Sequence, residues 1–102
     1  MPHITFVKKI LLNGELCKKC QEVSERLQKE DLMKTINHIA IADERDADSE
    51  GMRLAKQYDV SRAPFFLVED QGGKVEVFDV FFKFKKFINQ LNGVESKQAS
   101  SL

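Results

Sequence analysis

Cys17 and Cys20 are the only cysteines of the chain, and both lie in "GELCKKC", Gly14–Cys20. Two thiols so spaced can close a reversible disulfide or supply half of a tetrahedral metal site. A dithiol needs one thiolate to attack a disulfide and a second thiol to attack the resulting mixed disulfide. A structural zinc site needs two more ligands. The only histidines are His3 and His38. His38 falls in a predicted strand, where alternation makes it a core-edge or surface residue more readily than a ligand. A metal or cluster shared by two chains would draw on four thiolates and escape that count. Inert cysteines are the remaining alternative. The placement favours the dithiol, with neither metal nor cofactor.

That placement is a strand-to-helix junction. Unpaired backbone N–H groups and the helix dipole at such a start favour an anion. Cys17, at the junction, is therefore the expected nucleophile, and Cys20, one turn further in, the resolving thiol. Lys18 and Lys19 stand between them. Solvated cations there add a modest, salt-sensitive stabilisation and are candidate substrate contacts. The second feature is "SRAPFF", Ser61–Phe66. Proline pushes Ala63 toward an extended conformation. The bond before Pro64 is trans by default, with cis the alternative at such a strand start. A cis bond would turn the Ala63 backbone toward the sulfurs, to pair with a substrate peptide.

The elements that must position these groups follow from periodicity. Ile4–Leu12 reads as a mostly buried strand, ended by the turn signal Asn13-Gly14. Leu16, Cys20, Val23 and Leu27 recur at helical spacing. Ile36–Ala42 is a second strand. Ser49 or Asp48 caps a second helix, with Met52, Ala55 and Tyr58 inward. Phe65–Val68 and Val75–Phe78 form a hairpin around Gly72-Gly73. A last helix spans about Val80–Leu91 and ends at Asn92-Gly93. The order β-α-β-α-β-β-α predicts an α/β fold. The first two strands are parallel, the last two antiparallel, and a mixed four-stranded sheet carries helices on both faces. Residues 1–92 form the domain, and 93–102 a polar, frayed tail.

Composition narrows the function. The chain has 102 residues and 42% apolar content, enough for one domain with a core. Sixteen basic residues balance sixteen acidic ones, so no global charge draws it to nucleic acid or a membrane surface. No apolar run is long enough to span a bilayer. The leading "MPHITFVKKILLNGE" lacks a basic start and a cleavage site, so it reads as a strand. The expected compartment is the cytoplasm, where a lasting structural disulfide is unusual and a transient one is not.

"LCKKC" after a first strand, "VSRAPFFLVEDQGGKVEVF" after a short helix, and an amphipathic last helix together resemble the thioredoxin-like superfamily. The resemblance covers residues 4 to 91 and suits the minimal core that glutaredoxins also use. It implies Cys17 as nucleophile, Cys20 as resolving cysteine, a cis Pro64, and Ala63 as the residue that pairs with substrate backbone. The chain departs from the family at several points. Lys18-Lys19 replaces the usual Gly-Pro or Pro-Tyr. Leu16 stands in place of tryptophan, and counting back along the first strand puts Leu11 where thioredoxins carry a buried acid. The Gly-Gly that glutaredoxins use for glutathione is absent from the start of the last helix.

Eight phenylalanines complete the pattern, five of them between Phe78 and Phe87. Phe84 and Phe87 fit the core face, which leaves Phe81 or Phe82 partly exposed as a candidate partner surface. The reading that emerges is a thiol–disulfide oxidoreductase acting on protein disulfides, re-reduced by a reductase protein or by glutathione. The alternative is a redox sensor or adaptor that binds a partner without turnover.

Overall fold

The computed structural model describes the backbone of residues 2–101 and the side chains of residues 2–91. The elements are β1 (His3–Ile10), α1 (Lys18–Lys29), a 3-10 turn (Met33–Thr35), β2 (His38–Asp43), α2 (Glu50–Gln57), β3 (Phe65–Glu69), β4 (Val75–Phe78) and α3 (Phe81–Ser101). The strands form one sheet in the order β2-β1-β3-β4. β1 and β2 are parallel, and β1–β3 and β3–β4 are antiparallel. This is the expected element order and mixed sheet.

Strand alternation divides the core into two layers. On one face Ile4, Phe6, Phe66 and Val68 meet Val23 and Leu27 of α1 and Phe84 and Ile88 of α3. On the other, Val7, Ala40, Ala42, Phe65 and Leu67 meet Met52, Leu54, Ala55 and Tyr58, of which the first three lie on α2 and Tyr58 caps its end. Helices therefore cover both faces. The first layer is built around stacked rings. Phe6 lies 4.9 Å from Phe66, and Phe66 lies 3.9 Å from Phe84. α2 lies close to β2 because Gly51 has no side chain. A Cβ there would sit 2.3 Å from the Ala42 nitrogen.

Several boundaries differ from the expectation. β1 stops at Ile10, and Leu12 is 72% exposed instead of extending a buried strand. A tight loop takes over, because Gly14 adopts a φ of +85° and its N–H donates to the Leu11 carbonyl. The hairpin turn uses a positive φ at Gly73 and not at Gly72. The Asp70 carboxylate accepts from the Gly72 and Lys74 N–H groups, which closes the turn with a side chain instead of a second glycine. α3 continues through Asn92-Gly93, where the helix was expected to end. One glycine costs a helix only about 1 kcal/mol relative to alanine, which is no obligatory stop. The side chains of the expected polar tail, 93–102, lie outside the described residues.

Candidate active site

The end of β1 and the first turn of α1 are joined through one strand residue, Lys9. Its carbonyl accepts from the Cys17 N–H at 3.0 Å, and its own N–H donates to the Cys20 sulfur at 3.3 Å. A bridge between Ile10 and Leu16 closes the loop between them. Cys17 is the N-cap of α1, with extended backbone (φ −53°, ψ 132°), and its side chain caps nothing. The sulfur is thus left available. Both cysteines are free thiols, with Cys17 half-buried and Cys20 buried.

The environment of Cys20 sets its thiol apart. Burial is the main cause that raises the Cys20 thiol, to about 12. A hydrogen bond to Cys17 and the charge of Cys17 raise it further, while the Lys9 N–H and ammonium oppose them. Cys20 thus holds its proton while Cys17 is free.

Leu11 stands where counting back from Cys17 puts the buried acid of thioredoxins, but it is not on the strand. Leu11 lies in the loop, its N–H bound to the Glu15 carbonyl. The strand residue at Cys20 is Lys9. Its ammonium pairs with Glu44 at 3.5 Å, both side chains partly buried. Lys9 and Glu44 line a cavity of about 140 Å³ that Ala63 also lines.

Ala63 borders a second, larger groove on its other side. The Ala63–Pro64 bond is cis, and Pro64 is buried. A groove of about 410 Å³ is lined by Lys19, Arg62, Ala63, Pro64, Phe81 and Phe82, among others. It gathers five of the eight residues expected at the site. Cys17, Lys18 and Cys20 are not in its lining; Lys18 and Cys20 are the sequence neighbours of Lys19, which is. Lys18 and Lys19 are both exposed.

The two phenylalanines have different surroundings. Phe81 packs on the core, with the Arg26 guanidinium 5.1 Å above its ring. Arg26 in turn pairs with Glu30 at 2.7 Å, and Glu30 also pairs with Lys85 of α3. Lys85 first, then Arg26, hold the Glu30 carboxyl below its ordinary range. This cluster ties α1 to α3 and fixes the Phe81 wall. Phe82 is 67% exposed at the lip.

Sequence reasoning missed Lys9, Arg62, Arg26 and Glu30. Only Lys9 left a signal, as a charge interrupting the apolar run of β1. His38 is exposed and its Nε2 lies 2.8 Å from the Glu50 carboxylate. Among the described residues, no three His, Cys, Asp or Glu side chains are grouped to hold a metal. No described helix is long and apolar enough to cross a membrane.

No protein-family model matches the sequence, and no curated protein matches it significantly. Solved structures do. Thioredoxin of Fasciola hepatica superposes with a TM-score of 0.53 at 16% identity, over 86% of this chain and 80% of its own. The germline-specific thioredoxin Deadhead of Drosophila melanogaster gives 0.52 at 15% identity, over 87% and 81%. Together with the element order and the close cysteine pair, these likenesses establish a thioredoxin-like fold for the chain.

Proposed function

We propose that the chain is a thiol–disulfide oxidoreductase that reduces or exchanges protein disulfides through Cys17 and Cys20. The observation that carries this reading is the asymmetry of the pair. Cys17 is accessible at a helix start, while the Cys20 sulfur is buried and held by the Lys9 N–H. The Cys17 thiolate attacks one sulfur of the substrate. A Cys17–substrate bond forms, the substrate S–S bond breaks, and the other substrate sulfur leaves as a thiolate that takes a proton. Cys20 then loses its proton and attacks the Cys17 sulfur. The Cys17–Cys20 disulfide forms, and the second substrate thiol departs.

The order of these steps follows from the environment of Cys20. Before attack, the charge of Cys17 and its hydrogen bond help keep the Cys20 proton in place. Once Cys17 is bonded to substrate, its charge is gone. The Lys9 N–H and ammonium then remain to favour the Cys20 thiolate. The mixed disulfide thus eases the loss of the Cys20 proton, while burial, the largest cause, still holds the thiol up.

In this reading Ala63 and Pro64 form the wall against which the substrate backbone lies, and Lys18 and Lys19 contact the substrate. Phe81 and Phe82 meet the partner protein. Re-reduction falls to a reductase protein or to glutathione in a reducing compartment, the cytoplasm. A second reading rests on the exposed Phe82 at the groove: an adaptor that docks a partner and uses the dithiol only as a sensor. Disulfide reduction by wild type and Cys17→Ser separates the two. The oxidoreductase reading expects turnover by wild type and none by the variant. Absence of turnover in wild type, with partner binding retained by the variant, supports the adaptor.

A further inference from the structure

The chain is neutral overall, yet the rim of the groove beside the cysteines is not. Lys18 and Lys19 are exposed and take no part in any described ion pair. Arg62 lines the same groove, its side chain 74% exposed, and reaches Asp79 only at 3.5 Å. Asp79 is the one acid of the lining, and it is the partner of Arg62. The lining thus offers a cation outside every described ion pair at Lys19, next in sequence to Cys20, and exposed apolar surface at Val80 and Phe82. Its volume of about 410 Å³ suits side chains of an extended segment.

Resting on the oxidoreductase reading, we propose that the groove selects disulfide-bonded proteins in which a large apolar residue and a carboxylate lie beside the attacked cysteine. The apolar side chain packs on Phe82 and Val80, where burying both surfaces is favourable. The carboxylate faces Lys19, the cation of the lining that no described ion pair engages.

The test is the single-turnover rate of the reduced protein with four symmetric peptide disulfides. They carry Leu-Glu, Leu-Lys, Gly-Glu or Gly-Lys beside the cysteine. In each turnover the protein dithiol becomes a disulfide and the peptide disulfide becomes two thiols. Leucine is expected to exceed glycine by about tenfold, from the apolar area buried. Glutamate is expected to exceed lysine by about threefold at low salt, as for a partly exposed ion pair. The charge preference should vanish at about 0.5 M salt, and the leucine preference should persist. Lys19→Glu should invert the glutamate-to-lysine ratio, and Phe82→Ala should shrink the leucine-to-glycine ratio. Each is a ratio within one protein, so a general loss of activity does not imitate it. Equal rates for all four peptides would overturn the inference and leave the oxidoreductase reading standing. Reduction of none would overturn both.

Discussion

Cys20 should be nearly unreactive toward alkylating agents in the folded protein while Cys17 is modified. With the thiol pushed up to about 12, only about one Cys20 in ten thousand is a thiolate at pH 8, against about one in ten at the ordinary value of 9.0. The thiolate is the reactive form, so the expected slowing is about a thousandfold. Complete burial of the side chain adds to it. The Cys17→Ser variant isolates Cys20. It removes the two causes due to Cys17 but leaves the largest, burial, in place. Strong protection should therefore remain relative to the unfolded chain. Iodoacetamide labelling of Cys17→Ser, native and in urea, with mass-spectrometric readout across pH 7–10, measures it. The native rate should climb with pH through pH 10 without levelling. Labelling of native Cys20 at the unfolded rate, or a plateau near pH 9, would refute the assigned environment.

Three further outcomes follow from the packing and the titration. Because the folded state holds the Cys20 proton to about 12, its contribution to stability is complete below about pH 9 and is lost as pH rises toward 12. Reduced wild type should thus lose up to about 2 kcal/mol between pH 9 and pH 10.5, and Cys20→Ala should lose less in urea titrations at the same two values. Gly51→Ala places a Cβ 2.3 Å from the Ala42 nitrogen and should cost about 3 kcal/mol or more in the same assay; an unchanged midpoint would contradict the close approach of α2 to β2. Phe84→Ala removes a fully buried ring stacked on Phe66 and should cost about 3–5 kcal/mol of unfolding free energy; a loss below about 1 kcal/mol would contradict its place in the core.

Much of the fold is written in local patterns. The 3-4 spacing of Cys20, Val23 and Leu27 and the apolar run from Ile4 to Val7 are local signals that the structure keeps, as a helix and as a strand buried on both faces. The parallel pairing of β1 and β2 follows from the helix between them. What periodicity could not carry was where β1 ends. Leu11 and Leu12 are as apolar as the strand before them, yet the Gly14 turn draws both into the loop. The strand residue that reaches the Cys20 sulfur is therefore Lys9, which counting back from Cys17 does not single out. Among the phenylalanines the pattern required one exposed ring at the helix start. The choice of Phe82 over Phe81 depended on the Arg26–Glu30–Lys85 cluster, which is long-range and leaves no local trace. The dithiol itself was legible, because two cysteines at a strand-to-helix junction are a local feature with a physical consequence.

The most direct test of the central claim is trapping. Reduced Cys20→Ser, mixed with a disulfide-bonded protein, should accumulate a stable mixed disulfide through Cys17, because no resolving thiol remains. Reduced Cys17→Ser should accumulate none, with Cys20 buried and protonated. Adducts in both variants at equal rates, or in neither, would contradict the assignment of Cys17 as nucleophile and Cys20 as resolving thiol.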